Sequence, residues 1–159
     1  MIDRRTLIGC GGAAAITMVL PASGRALAPA RPAVTKPDAE WRRSLGPQRY
    51  RILRQAGTER AYSSPLNNEH RRGRFDCAGC GQRLFKSAWK FDSGTGWPSF
   101  FTVARGSVME RSDRSFLMER TEVLCARCGG HLGHVFRDGP KPTGLRYCMN
   151  GLALRFVPA

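Results

Sequence analysis

Acidic side chains are scarce in this sequence: 12 Asp and Glu stand against 26 Lys and Arg, a formal net charge of +14. Histidine is rarer still, with three. No apolar stretch reaches the roughly 20 residues a membrane-spanning helix needs. The best run, Leu7 to Leu20, is broken by glycine and threonine, so no stable membrane insertion is expected. Length leaves little room for a second globular domain, because 159 residues at 42% apolar content bury one core. The shortage of acid points to anionic partners, nucleic acid or a membrane surface. The distribution of the cations weakens that reading. Arg42, Arg71, Arg105, Arg127 and Arg155 are spread along the whole chain, and the charge reads as solubility with some attraction to membrane surfaces. No nucleic-acid partner is expected.

The first 28 residues have the n-, h- and c-regions of an export signal: Arg4-Arg5, the run to Leu20, then Pro21-Ala-Ser-Gly-Arg-Ala-Leu-Ala28. Arg4-Arg5 followed by Thr6, Leu7 and Ile8 resembles the twin-arginine pattern, and Arg25 in the c-region suits that route. Cleavage after Ala28 meets the small-x-small rule through Ala26 and Ala28. Pro29 just beyond is unfavourable there, and Ala26 or Gly24 are alternative last residues. Leu7-Ile8-Gly9-Cys10 has the form of a lipoprotein box, but such a box closes an h-region and this one opens it. Export to the periplasm or an equivalent compartment is expected. Losing Arg4, Arg5, Arg25 and Asp3 leaves a net charge of +12.

Residues 29–37, PARPAVTKP, form a proline-rich tether, and residues 38–159 the domain. Trp41 to Ala56 carries the one good helical pattern, interrupted at Gly46-Pro47, which predicts two short helices with Pro47 near the start of the second. From Gly73 onward short β-type runs alternate with glycine and proline: Ser107 to Met109, Ser115 to Arg120, Glu122 to Cys125 and Leu152 to Val157. The expected domain is small and mainly antiparallel β, with a helical lead-in.

Four of the six cysteines pair as Cys77-x-x-Cys80 and Cys125-x-x-Cys128, each pair followed by glycine. Such knuckles aim two thiolates at one point, and two knuckles complete a tetrahedral zinc site. The 44 residues between Cys80 and Cys125 exceed an ordinary zinc-ribbon spacing, so the fold must bring two separate loops together around one structural Zn2+. Two disulfides, natural in an oxidising compartment, or a redox-active pair are the competing readings.

Cys148 has no obvious partner. In an extended strand Arg146, Cys148 and Asn150 share one face, with Tyr147 and Met149 on the other. A neighbouring cation favours the thiolate and makes a better nucleophile, while an inert buried cysteine is the plain alternative. His131 and His134 stand at a spacing that puts them on opposite faces of an unbroken strand, so serving one pocket requires Gly133 to bend or bulge the chain. A cysteine, two histidines and Asn150 make a nucleophile with acid–base partners; satisfied structural histidines remain the alternative.

Five ordered stretches, Gly73 to Cys80, Phe91 to Phe100, Arg120 to Cys128, His131 to Phe136 and Asp138 to Cys148, closely resemble the peptide methionine-R-sulfoxide reductases, the B class. The resemblance covers Trp41 to Pro158. It implies two packed antiparallel sheets around a structural zinc held by Cys77, Cys80, Cys125 and Cys128. It implies that Cys148 attacks the sulfoxide sulfur to leave a sulfenic acid, and that His131, His134 and Asn150 position the sulfoxide oxygen through a water and supply a proton. Trp97 would pack on the substrate S-methyl, with Arg146 as a further substrate-side residue. Oxidised proteins or peptides are the implied substrates, a thioredoxin-like or glutaredoxin-like thiol the external reductant, and a monomer the expected state.

Thr95 stands where many members carry a resolving cysteine, so an external thiol must regenerate Cys148. Met149 and Gly151 replace the usual β-branched residue and serine, and Gly151 is expected to loosen the strand beyond the site. Two other function classes bound the reading. A non-catalytic zinc-ribbon binding module needs the four cysteines but not Cys148 or the histidines, and a disulfide oxidoreductase would use a Cys-x-x-Cys pair and hold no zinc.

Overall fold

The computed structural model describes residues 32–114 and 119–159. The export signal read in residues 1–28 lies outside them, as do residues 115–118 of the strand expected over Ser115 to Arg120. No helix of the described residues is long and apolar enough to cross a membrane.

Helix α1 spans Asp38–Gln55 and begins three residues earlier than its apolar pattern, because Asp38 and Glu40 suit the first turn of a helix and Arg54 the last. Gly46 leaves helical geometry at φ 67° and Pro47 restarts it, so the expected two segments are present as one kinked element. Trp41, Tyr50, Ile52 and Leu53 are buried, and Arg54 and Lys36 lie over the Trp41 ring at 4.9 and 5.3 Å. The end of the proline-rich stretch is already pinned, since Val34 N–H donates to the Arg127 carbonyl at 2.8 Å.

Nine strands follow among the described residues: β1 Gly73–Cys77, β2 Arg83–Lys86, β3 Lys90–Phe91, β4 Ser99–Phe100, β5 Val108–Asp113, β6 Arg120–Cys125, β7 His131–Phe136, β8 Arg146–Met149 and β9 Leu154–Pro158. They form two antiparallel sheets, one ordered β2-β1-β9 and the other β3-β4-β8-β7-β6-β5. Aromatic side chains join the two. Phe85 of the smaller sheet stacks on Phe100 of the larger at 4.1 Å, Phe75 meets the same ring edge-on at 5.0 Å, and Phe85 also reaches Tyr147 at 6.1 Å. Such pairs add about 0.5–1.5 kcal/mol each beyond the apolar area they bury. The mainly β, two-sheet architecture expected from the sequence is the one observed.

Strand boundaries differ from the sequence reading in several places, and β6 starts at Arg120 rather than Glu122. The run Leu152 to Val157 is a strand only from Leu154, because residues 151–153 form a 3-10 turn. The run Ser107 to Met109 continues through Asp113, since β5 pairs with β6 along its whole length although its middle residues are exposed.

Candidate active site and metal centre

Each Cys-x-x-Cys pair sits in the loop of a hairpin, and the two hairpins belong to different sheets. Cys77 ends β1 before the turn to β2, and Cys125 ends β6 before the turn to β7. The turns repeat one another: Gly81 N–H donates to the Cys77 carbonyl at 2.8 Å, and Gly129 N–H to the Cys125 carbonyl at 2.8 Å. The four sulfurs lie within 4.8 Å of one another, with Cys77 and Cys128 at 3.8 Å and Cys80 and Cys125 at 3.6 Å. Disulfides require about 2.05 Å, and all four are free thiols. Sulfurs about 2.3 Å from a common tetrahedral centre stand about 3.8 Å apart, so the spacing fits a metal ion. Hydrogen bonds among the sulfurs push the thiols of Cys77 and Cys128 up and pull Cys80 and Cys125 down. The four sulfurs therefore compete for one another's protons, a conflict that a dication would relieve. The four thiols are placed to hold a metal ion, which would clamp one sheet to the other.

Cys148 lies in the larger sheet, opposite Ser99 of β4 on one side and His134 of β7 on the other. The alternation holds: Tyr147 and Met149 are buried, Arg146 and Cys148 half-buried. The thiol opens into a cavity of about 120 Å³ shared with Trp97, His134, Asn150, Gly133, Phe136, Arg120 and Thr58. Arg146 does not line it. Its guanidinium makes two bonds to Asp138, at 2.7 and 2.8 Å, and lies over the Phe136 ring at 4.3 Å.

The bulge expected beside Gly133 is present. Val123 pairs with Gly133 but Leu124 pairs with His131, so Leu132 is the extra residue. Gly133 has φ 154°, and a Cβ on it would fall 2.2 Å from the Cys148 carbonyl. The shift brings the two histidine rings together, 5.5 Å apart and edge to face. His134 shares the cavity wall, and its Nε2 is 2.9 Å from Asp113 Oδ2. His131 stands behind it, 4% exposed, with Nδ1 2.7 Å from Glu122 Oε1 and a buried Nε2 that has no partner among the described residues. Arg111 also binds Glu122, at 2.7 Å. Desolvation holds the His131 pKa below the usual imidazole value, outweighing Glu122; with Nδ1–H donating to the Glu122 carboxylate, the neutral ring leaves Nε2 as an acceptor.

Glu59 had no signal in the sequence, yet it ties the site together. Its N–H donates to Asn150 Oδ1 at 3.0 Å and its carbonyl accepts from Trp97 Nε1 at 3.2 Å. Its buried carboxylate accepts from the N–H of Gly151 and of Leu152. Asn150 is thereby occupied at both ends, since its Nδ2 donates to the Leu132 carbonyl at 3.3 Å. Gly151 lies in the turn after β8, where a Cβ would collide with Ser64, so the place of a side chain is already filled. Asp113, Glu122 and Asp138 were likewise passed over, because a single acid has no pattern until its partner strand is known.

A six-stranded sheet that presents one half-buried thiol beside paired histidines, joined to a second sheet where four cysteines meet, defines a two-sheet β protein with a thiol centre and a four-cysteine cluster placed to hold a metal. The comparisons with known proteins agree. The model of the SelR domain matches residues 45–158. The peptide methionine sulfoxide reductase MsrB of Thiobacillus denitrificans is 56% identical over 124 residues, 77% of this chain and 94% of its own. That of Agrobacterium fabrum is 54% identical over 128 residues, covering 80% and 95%, and that of Methanosarcina barkeri 52% identical, covering 80% and 90%. The chain belongs to the SelR-domain, MsrB family.

Proposed function

We propose that this protein reduces the R epimer of methionine sulfoxide in oxidised proteins or peptides, with Cys148 as nucleophile. The observation that carries the reading is the convergence of Cys148, Trp97 and His134 on one cavity, from three separate segments of the chain. The Cys148 thiolate attacks the sulfoxide sulfur. Net, the sulfoxide oxygen passes to the cysteine sulfur, which loses two electrons and becomes a sulfenic acid, and the thioether sulfur gains two and leaves as methionine. An external thiol then attacks the sulfenic sulfur, expelling water and forming a mixed disulfide, and a second thiol frees Cys148.

Asp113 fixes the roles of the His134 nitrogens: a carboxylate only accepts, so Nε2–H donates to it and Nδ1 serves the substrate, as a proton donor when the ring is charged. Trp97, tethered through its indole N–H, packs on the S-methyl. With methyl and oxygen held on different walls, one sulfur epimer fits. His131 and Asn150 shape the oxygen side from behind, and Arg146 supplies positive charge at the nucleophile. The four-sulfur donor set selects Zn2+ as a structural ion. Residues 1–28 serve twin-arginine export to the periplasm, which the Arg4-Arg5 pair supports; undiminished export after replacing both by lysine would count against it.

The test is reductant-supported turnover of the two epimers of a blocked methionine sulfoxide, with Cys148→Ser alongside. Consumption of the R epimer alone, abolished in the variant, is expected. Turnover of neither epimer by metal-loaded protein would overturn the assignment in favour of a binding module.

A further inference from the structure

Three hydroxyls run in a line from Cys148 to a backbone carbonyl. Thr95 Oγ1 is 3.7 Å from Cys148 Sγ, Ser93 Oγ is 2.8 Å from Thr95 Oγ1, Ser99 Oγ is 2.7 Å from Ser93 Oγ, and the Trp97 carbonyl is 3.1 Å from Ser99 Oγ. A hydroxyl has one proton to donate and a carbonyl has none, so the direction of the line is set from its far end. Ser99 donates to Trp97 O. Ser93 must then donate to Ser99, Thr95 to Ser93, and the Cys148 S–H to Thr95. This polarity needs a protonated thiol at the head.

A thiolate cannot satisfy it. Facing Thr95 in this arrangement, the sulfur would meet an oxygen lone pair with no proton between them. The line has one alternative: Thr95 donates to the sulfur, Ser93 to Thr95 and Ser99 to Ser93, and the Trp97 carbonyl gives up its hydroxyl donor. Ser99 is fully buried, so its end of the line is closed to solvent, and each bond polarises the next.

We propose that Thr95, Ser93 and Ser99 form a two-state hydrogen-bond switch whose reversal gives the Cys148 thiolate a donor, making Thr95 a catalytic residue and Ser93 and Ser99 positioning residues that hold the opposite polarity. The proposal rests on reading Cys148 as the nucleophile, but its consequence is separate from sulfoxide chemistry. Thr95 favours the thiolate while Ser93 and Ser99 oppose it, so removing hydroxyls from one continuous line changes thiol reactivity in opposite directions. A purely structural role for the three residues predicts no such reversal of sign.

The experiment measures the rate of Cys148 alkylation by iodoacetamide at pH 7 in the metal-loaded full chain, using peptide-resolved mass spectrometry to separate Cys148 from Cys10. Alkylation proceeds through the thiolate. Thr95→Val, which keeps the shape and removes the hydroxyl, is expected to slow it about tenfold, the effect of a hydrogen bond to a charged group. Thr95→Ser should restore the rate to within about twofold of the parent. Ser99→Ala and Ser93→Ala each free Thr95 to face the sulfur, and should speed alkylation about two- to fivefold. Metal content and thermal midpoint identify any variant that has not folded, and the two alanine variants decide the matter independently of Thr95→Val. A Thr95→Val rate equal to the parent, or alanine variants at or below it, would overturn the switch. The result stands apart from turnover, so it can fail while the reductase reading survives.

Discussion

His134 of β7 is the register partner of Cys148 of β8. Side chains opposed in this way lie about 4.5–5.5 Å apart at Cβ, which sets the imidazole beside the thiol without any loop to place it. Asp113 of β5 reaches the same ring from two strands away, so His134, Asp113 and Cys148 all depend on the pairing within one sheet.

His134→Gln keeps a polar side chain but cannot deliver a proton. Loss of general acid catalysis costs about 10²–10⁴ in rate. The fall is expected in kcat with KM changed little, because the contact proposed between Trp97 and the methyl group is untouched. Steady-state kinetics on the R epimer reads both constants, and an unchanged kcat would remove His134 from the proton transfer.

Glu59→Ala leaves the N–H groups of Gly151 and Leu152 without their acceptor. An unsatisfied buried donor costs about 1–3 kcal/mol, and the turn that follows Asn150 is the part that shifts. Urea unfolding should show that loss and activity should fall with it, while Glu59→Gln, which keeps one acceptor oxygen, should lie between. A Glu59→Ala protein as stable and active as the parent would show that the turn holds itself.

These two cases mark where the sequence could be read and where it could not. The knuckles, the alternation around Cys148, the break at Gly46-Pro47 and the bulge at Gly133 were legible because each is a local rule about spacing, pleat or backbone. Glu59 was not, since its partners lie 38 to 93 residues away. The same contact explains the misplaced start of β9: alternating Leu152, Leu154 and Phe156 read as strand, but the Glu59 carboxylate holds Gly151 and Leu152 in a turn. Two-residue strands such as β3 and β4 are too short to carry a period at all. The hydroxyl line from Thr95 required the pairing of β4 with β8 before it existed as an arrangement.

The four-cysteine cluster joins hairpins from different sheets, so removing the zinc proposed to fill it should loosen the packing between them rather than one loop. Metal analysis is expected to give one zinc per chain. Chelation or Cys125→Ser should lower the thermal midpoint by at least about 10 °C, since binding energy at such a site is folding energy. An unchanged melting curve after complete metal removal would mean that the aromatic contacts between Phe85, Phe75 and Phe100 suffice.

His131 makes stability depend on pH. Its pKa is depressed in the folded protein by desolvation, with His134 acting in the same direction and Glu122 and Asp113 opposing. The unfolded chain therefore takes up the proton first, near the ordinary imidazole value of about 6.5. Stability from this group is complete above that pH. It is lost as the pH falls, at up to about 1.4 kcal/mol per pH unit, until the folded ring is itself protonated. His131→Gln cannot titrate, so the difference in unfolding free energy between parent and variant should narrow from pH 7.5 to pH 5.5. Urea unfolding at three pH values measures it, and comparing the two proteins cancels the acid loss of metal common to both. A constant difference across that range would mean that the buried ring keeps its proton affinity, with Glu122 outweighing desolvation after all.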